Sequence, residues 1–244
     1  MAISRAQLVK ELEPGLNALF GMEYDQYERE HEQIFSMESS DRAFEEEVML
    51  SGFGSARYTK ALARSMSQTK QVKAAAVLNN AFDSGFTGGD SKELCATDHP
   101  LVSGNTFRNE LSTAADLNET SLEQALIDIA SFVDERGLKV AVRGMKLIVP
   151  KELQFTADRL LESTLRVGTA DNDINAIRNM GMLPQNYDVN HFLTDTDAWF
   201  IKTDAPNGLK GFNRTSIRTS MEGDFDTGNV RYKARERYAF GWSD

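Results

Sequence analysis

Polar and apolar residues alternate most regularly near the C-terminal end of the chain, from Val230 to Trp242. Alternation with a period of two is typical of a β-strand with one buried face. Thirteen extended residues span about 43 Å, more than twice the usual strand length. One side of this predicted strand is mostly apolar and consists of Val230, Tyr232, Ala234, Glu236, Tyr238, Phe240 and Trp242. The other side is basic and consists of Arg231, Lys233, Arg235 and Arg237.

The segment from Arg57 to Phe82 has the composition of one long helix. It contains no Gly or Pro, and Ala, the strongest helix former, recurs through it. Its length of about 26 residues corresponds to roughly 39 Å. A narrow apolar stripe indicates a helix that lies across a flat domain and is contacted on several sides. That stripe consists of Tyr58, Leu62, Met66, Val72 and Val77.

A shorter helix is predicted to begin at Thr120, because Thr120 and Glu123 have the spacing of a capping box. Its apolar stripe has helical spacing, and Gly137 supplies the expected left-handed residue after its C-terminus. The stripe consists of Leu122, Leu126, Ile129 and Val133.

Short strands and helices are predicted to alternate after this helix. Pro150 is expected at the first position of one of these helices, where its missing N–H costs nothing. The predicted strands are Leu138–Val142, Met145–Val149, Val189–Leu193 and Ala198–Lys202. The apolar side of the helix after Pro150 consists of Leu153, Ala157, Leu160, Leu161 and Leu165. A second, short helix is predicted to be anchored by Ile174 and Ile177.

The first 50 residues are polar and acidic and have the character of an arm with short helices. We expect a helix over Arg5–Leu19 with a break near Pro14. The charged run Asp41–Val48 either lies along a neighbouring surface or forms a solvated helical face. Gly and Ser residues between Leu50 and Ala56 predict a flexible connection to the long helix.

The composition narrows the class of protein. Its hydrophobic content of 41% and charged content of 26% are those of a globular domain. No stretch approaches the roughly 20 apolar residues of a membrane span, and we expect no secretion signal at the N-terminus. The single cysteine excludes an intrachain disulfide. A net charge of −10 argues against strong general binding of nucleic acid. Contact with DNA through a local basic strip is still compatible with this charge.

Candidate metal sites are incomplete. Cys95 and His99 have a usable spacing, but zinc needs two more ligands and only His31 and His191 remain as histidines. The acidic runs Asp171–Asn175 and Asp224–Gly228 depart from the calcium-loop pattern and are expected to be turns or caps. We therefore predict no metal site and no cofactor.

Candidate catalytic groups are equally sparse. His99 and His191 are the histidines available as a general base, but no serine lies in a Gly-x-Ser-x-Gly motif. Asp195 and Asp197 fit a solvated turn, and we predict no catalytic residue. The basic side of the C-terminal strand could contact phosphates, or it could pair with acidic groups such as Glu45–Glu47 of the same fold or of a neighbouring copy; the overall excess of acids favours the second.

Several separated segments together resemble a known family. They are the acidic arm, the long helix, the loop Cys95–Pro100, the helix that starts at Thr120–Glu123, the junction Leu147–Pro150, the segment Val189–Ile201 and the ending Arg231–Trp242. In this order they resemble the major capsid proteins of tailed bacteriophages, in particular the Mu-like major head subunit group of the HK97-type fold. The resemblance covers most of residues 57–244.

The resemblance implies an α+β subunit with a long spine helix, long β-strands in a peripheral domain and a mixed α/β axial domain. Residues 1–50 would form an N-terminal arm that reaches over neighbouring subunits, and residues 51–56 a shortened or missing extended-loop region. Residues 57–117 and 196–244 would form the peripheral domain, and residues 118–195 the axial domain. A long helix with a narrow stripe suits such a shell subunit better than an enzyme.

The implied function is self-assembly of pentamers and hexamers into an icosahedral shell around double-stranded DNA. The shell would be assembled in the bacterial host cytoplasm and would form the virion capsid. Portal, scaffolding and decoration proteins are the implied partners, together with non-specific contact to the packaged DNA and no membrane. No catalytic residues are carried over from the family.

One departure from the family concerns the extended loop, a long β-hairpin that such subunits carry between the arm and the spine helix. The segment Leu50–Ala56 is far too short for it. Either this variant lacks the loop or a part of the chain is missing; we hypothesise the second, which predicts a break between Ala56 and Arg57 wider than the 3.8 Å between bonded Cα atoms.

Two other classes of function remain as alternatives. A soluble metal-dependent hydrolase would use His99, His191 and nearby aspartates, and it predicts bound metal. Another phage structural protein, a decoration or tail-tube protein, would differ from a capsid subunit in the shape of its particles.

Overall fold

The structure of the protein is a computed structural model. It describes residues 5–26, 29–38, 44–51, 56–166, 173–206, 208–223 and 230–242. It combines helices and sheets in an α+β fold, as the sequence predicted. The chain divides into two compact units. Unit 1 contains Met1–Ala74 and Lys210–Gly241, and unit 2 contains Ala75–Leu209 and Trp242–Asp244.

Unit 1 is built on a four-stranded sheet of β1 (Ser36–Glu38), β2 (Phe44–Ser51), β8 (Leu209–Gly223) and β9 (Val230–Trp242). The strands lie in the order β1-β8-β9-β2. Strand β9 covers Val230–Trp242, the range that the alternating pattern predicted. Its antiparallel neighbour is β2, and strand β8 pairs in parallel with β1. Strands β8 and β2 were not predicted from the sequence. The solvated helical face considered for Asp41–Val48 is wrong for residues 44–48, and residues 41–43 lie outside the described residues.

Helix α3 runs from Ala56 to Asn79, so the predicted long helix is confirmed with an end three residues earlier than expected. The predicted stripe is partly wrong, because Tyr58 and Val72 are exposed while Leu62 and Met66 are buried. Small and polar residues complete the buried side of the helix together with Leu78, namely Thr59, Ala63, Ser67, Gln71, Ala74 and Ala75.

Helix α1 is continuous from Arg5 to Asp25 and contains Pro14, so the predicted break is wrong. Its residues Leu16, Phe20 and Tyr24 recur every four positions and are buried. They form one side of the core of unit 1, which burial of apolar surface stabilises. The other members of this core are Leu62, Ala63, Met66, Tyr232 and Ala234, with Ile217 and Met221 packed against them. Helix α2, Glu30–Ile34, follows α1.

Unit 2 has a three-stranded sheet in the order β6-β5-β7, with β5 at Gly144–Val149, β6 at Tyr187–Val189 and β7 at Phe200–Thr203. Helices α4 (Glu119–Ile129), α5 (Gln154–Glu162) and α6 (Ala176–Met180) accompany it, together with the short hairpin of β3 (His99–Pro100) and β4 (Thr106–Phe107). Its core consists of Leu117, Leu122, Leu126, Leu147, Val149, Ala157, Leu161, Ile177 and Leu183.

Two details around α4 differ from the prediction. The capping box is formed by Asn118 and Ser121, not by Thr120 and Glu123: the Asn118 side chain accepts the Ser121 amide, and the Ser121 hydroxyl accepts the Asn118 amide at 3.0 Å. Gly137 does have a positive φ of 83°, but the helix already ends at Ile129. The predicted strand Leu138–Val142 is reduced to a single bridge between Val133 and Lys139.

Most other short elements are shifted by a few residues. Pro150 precedes a short 3-10 helix, Lys151–Leu153, that leads into α5. Ile177 is buried as predicted, whereas Ile174 is exposed. No helix in the described part of the chain is long and apolar enough to cross a bilayer.

The hypothesis of a missing segment stays a prediction, although the break expected between Ala56 and Arg57 is not seen. Both are consecutive residues of the continuous helix α3. Residues 52–55, which the sequence predicted to be a flexible connection, lie outside the described residues.

Candidate functional site

A carboxylate lies inside unit 1 on the apolar side of strand β9. Glu236 is 2% exposed. The Tyr24 hydroxyl lies 3.2 and 3.0 Å from its two oxygens, and Lys70 Nζ lies 3.3 Å from Oε2. A buried charge is tolerated only with such partners. Burial, followed by the charge of Glu236, raises the pKa of Tyr24 far above its ordinary value, so its hydroxyl stays protonated and donates.

A second buried carboxylate joins helices α1 and α3. Glu23 is almost fully buried, and Arg64 Nε lies 2.5 Å from its Oε1. Lys60 Nζ lies 3.7 Å from Oε2. Beside this cluster an open depression of about 410 Å³ is lined by Leu19, Met22, Glu23, Asp25, Gln26 and Lys60.

The imidazole of His31 docks helix α2 against α3. Gln71 Oε1 accepts the His31 amide at 3.1 Å and lies 3.0 Å from His31 Nδ1. Because a carbonyl oxygen only accepts, Nδ1 carries the proton. Nε2 is buried and has no hydrogen-bond partner within the described ranges. Burial lowers the pKa of His31, so the ring is neutral.

The opposite side of β9 carries the predicted basic residues. The register with β2 places Glu45 opposite Arg237 and Glu47 opposite Arg235. This register agrees with the interpretation that the basic side pairs with acids of the same fold. Nearer the start of β9, the β2 residues opposite the basic side are uncharged. In the register, Met49 lies opposite Lys233 and Ser51 lies opposite Arg231. The aromatic residues Tyr232 and Tyr238 on the other side are buried, as predicted.

Strand β8 adds further cations to the outward face of this sheet. Arg214 and Arg218 are exposed, whereas the intervening Ile217 packs against the core. Ser216, Ser220 and Glu222 share this exposed side. The outward face of the sheet is therefore polar and mainly basic.

Unit 2 exposes several large apolar side chains. Phe155 on α5 is 71% exposed and Met180 on α6 is 69% exposed. Exposed apolar side chains mark a surface that contacts other proteins where they form a contiguous patch. The others in this unit are Phe82, Phe86, Val102, Ile127, Leu138, Val140, Leu165 and Ile174.

The residues considered for metal binding do not form a cluster. His99 Nδ1 lies 2.6 Å from Asp90 Oδ2, and burial raises the pKa of the Cys95 thiol to about 12, so this thiol is protonated. His31 belongs to unit 1, and His191 lies in unit 2. Within the described residues, no group of three or more His, Cys, Asp and Glu side chains could hold a metal ion.

The predicted turns are confirmed where they can be seen. Asp195 Oδ1 accepts the Asp197 amide at 3.3 Å, and Asn175 caps α6 by accepting the Arg178 amide. Residues 171–172 and the run Asp224–Gly228 lie outside the described residues. Glu236, Glu23 and their partners were not predicted from the sequence, although a glutamate among the apolar positions of β9 was a detectable sign.

The fold is shared with proteins of known structure. The virus-like particle protein of Pyrococcus furiosus matches with 8% identity and a TM-score of 0.50 over 93% of each chain. A phage-related protein of Bordetella bronchiseptica matches with 10% identity and a TM-score of 0.50, again over 93% of each chain. The capsid of an empty GTA particle matches with 14% identity and a TM-score of 0.50, over 88% of this chain and 86% of the other.

These identities show the common fold alone. A search of curated proteins finds no match. The sequence model of a family described as phage capsid protein matches residues 55–244, which is more than three quarters of the chain. The chain belongs to this phage capsid protein family.

Proposed function

We propose that this capsid protein is the major head subunit, which assembles with copies of itself into an icosahedral shell around double-stranded DNA. The family match over residues 55–244 carries the proposal. The fold supports it, because proteins of the same fold form a virus-like particle and a GTA capsid.

The surface of unit 2 supports assembly through many moderate contacts. Its exposed apolar side chains, such as Phe155 and Met180, lie on different helices. Heterologous contacts between identical subunits close into rings and shells when the rotation between copies closes. Residues that stay exposed in a single chain are then buried between copies.

The finer assignments belong to the same proposal. The chain would be a member of the Mu-like group, with an arm at residues 1–50, a peripheral domain at residues 57–117 and 196–244, and an axial domain at residues 118–195. Pentamers and hexamers would form in the bacterial host cytoplasm with portal, scaffolding and decoration proteins as partners. The role is structural, without a catalytic residue, metal or cofactor.

Negative-stain electron microscopy and sedimentation of the purified protein test this function. The proposal predicts closed hollow particles that sediment far ahead of a single 27.2 kDa chain. Tubes or rings would indicate a tail-tube protein, and a monomer at high concentration would contradict assembly. Bound zinc detected by elemental analysis, with activity lost on chelation, would support the hydrolase alternative instead.

A further inference from the structure

The charges of the chain are divided unequally between its two units. Unit 1 contains 16 acidic and 16 basic residues, whereas unit 2 contains 21 acidic and 11 basic ones. The net charge of −10 therefore belongs to unit 2. Long-range fields of this kind steer protein association.

Within neutral unit 1 the cations concentrate on the outward face of the sheet. On β9, Arg235 and Arg237 have glutamates opposite them in the β2 register. Strand β8 lies on the other side of β9 from β2, so β2 is not a neighbour of the strand that carries Arg214 and Arg218. The register with β1 ends at Phe212, before either arginine.

The geometry of β8 suits contact through its side chains. Arg214 and Arg218 share one face and are separated by four residues, or about 13 Å. Ser216, the exposed residue between them, is small and permits close approach of another surface. An arginine guanidinium binds a carboxylate through two parallel hydrogen bonds, which favours acidic protein surfaces.

We propose that the outward face of β8, centred on Arg214 and Arg218, docks against the acidic unit 2 of a second copy of the chain. This inference rests on the proposed function, because it names one contact of the shell. The contact is heterologous: a basic face of one copy meets a different, acidic surface of the next.

Packaged DNA is a less suitable partner for this face. Glu222 shares the exposed side of β8, and Glu45 and Glu47 lie in the same sheet. The acids on this face weaken its attraction for a uniformly anionic polymer, whereas unit 2 combines 21 acidic with 11 basic residues and can match both signs.

The first test uses the variant Arg214→Glu/Arg218→Glu. Its matched control is Lys73→Glu, which reverses one exposed charge elsewhere in unit 1. We expect the concentration needed for assembly to rise at least tenfold in the double variant and less than twofold in the control. The wild-type protein should also lose assembly between 0.05 and 0.5 M NaCl, because salt screens exposed charges. Circular dichroism verifies that both variants are folded.

The second test identifies the surface that docks on β8, with a variant that keeps the positive charge at positions 214 and 218. In Arg214→Lys/Arg218→Lys, carbodiimide links the introduced amines to carboxylates they touch. Particles mixed from isotopically light and heavy chains should give links between different copies that join β8 to peptides of residues 75–209. Links confined to one copy, or to residues of unit 1, overturn the proposal.

The outcomes separate this inference from the proposed function. If the wild-type protein forms no particles, the proposed function fails. If wild type and Arg214→Glu/Arg218→Glu assemble alike with the same salt dependence, only the docking proposal fails. If the double variant assembles normally but its particles lose nucleic acid, β8 faces DNA and the proposal is overturned.

Discussion

Lys70 of helix α3 and Glu236 of strand β9 form an ion pair in the interior of unit 1, with 3.3 Å between Nζ and Oε2. Lys70 Nζ also lies 5.2 Å from the centre of the Tyr238 ring, on the same strand. The pair joins the longest helix to the strand whose alternating pattern is the clearest in the sequence. Because both side chains are largely buried, the pairing compensates part of the cost of burying each charge.

Replacing Lys70 with Met should destabilise unit 1 strongly. The substitution removes the Lys70 ammonium from the buried Glu236 carboxylate, and breaking a buried pair in this way costs about 3–5 kcal/mol in unfolding free energy. Urea denaturation measures the loss. Lys73→Met, an exposed position on the same helix, is the control and should change stability by less than about 0.5 kcal/mol. Equal effects of the two substitutions would show that the buried pair does not stabilise the fold.

His31 should make unit 1 less stable in acid. Burial lowers its pKa, and Lys70 and Arg29 add to the lowering while Glu32 opposes it. The unfolded chain therefore takes up a proton at a higher pH than the folded one, so the contribution of neutral His31 is complete above about pH 6.5 and is lost as the pH falls below it.

Urea denaturation at pH 7.5 and pH 5 measures this loss. The variant His31→Gln carries no titrating ring and should show a smaller difference between the two pH values. An unchanged difference would mean that other groups cause the acid sensitivity.

The N-terminus of α4 distinguishes the observed cap from the one predicted by sequence. Asn118→Ala removes the side chain that accepts the Ser121 amide and should cost about 1 kcal/mol. Thr120→Ala removes the residue that the sequence placed in the cap and should leave stability unchanged or raise it by about a few tenths of a kcal/mol, because Ala is a better helix former than Thr. Thermal unfolding compares the two variants, and a larger effect of Thr120→Ala would contradict the structure.

Gly144 should tolerate no side chain. A Cβ there would lie 2.9 Å from Leu126 Cδ2, 3.1 Å from Leu183 Cδ2 and 3.2 Å from Ile201 Cγ2. Since these groups surround it in the core of unit 2, Gly144→Ala should destabilise the protein by about 1–3 kcal/mol.

Gly21→Ala is the matched control for Gly144→Ala. It adds the same methyl group within helix α1, where nothing lies within 4 Å, and should stabilise the helix by about 0.5–1 kcal/mol. Effects of the same sign in the two variants, measured by urea denaturation, would contradict this account.

The two longest predicted elements follow from local pattern. Strand β9 was predicted with its observed ends because its alternation is regular over its whole length. Helix α3 was predicted because it lacks Gly and Pro and is rich in Ala. In both cases the local preference and the tertiary environment agree.

The missed elements depend on distant partners. Strand β8 alternates mostly between polar residues, and only Ile217 and Met221 of its inward side reach the core. Strand β2 is stabilised by pairing with β9, far along the chain, so its charged sequence alone indicates no strand. Helix α1 continues past Pro14 because Leu16, Phe20 and Tyr24 bury its later turns.

Of the candidate site, the basic side of β9 was visible in the sequence, but the partners of Glu236 were not. Tyr24, Lys70 and Glu236 are brought together from three separate elements of the chain. No spacing in the sequence connects them, so only the fold shows that this glutamate is paired.

Cryo-electron microscopy of the purified, assembled protein tests the central claim most directly. The account predicts a three-dimensional reconstruction with fivefold vertices, in which every position of the shell is filled by this chain and helix α3 and strand β9 are recognisable by their lengths. Images that contain only dispersed single chains at high concentration, or particles without icosahedral symmetry, would contradict it.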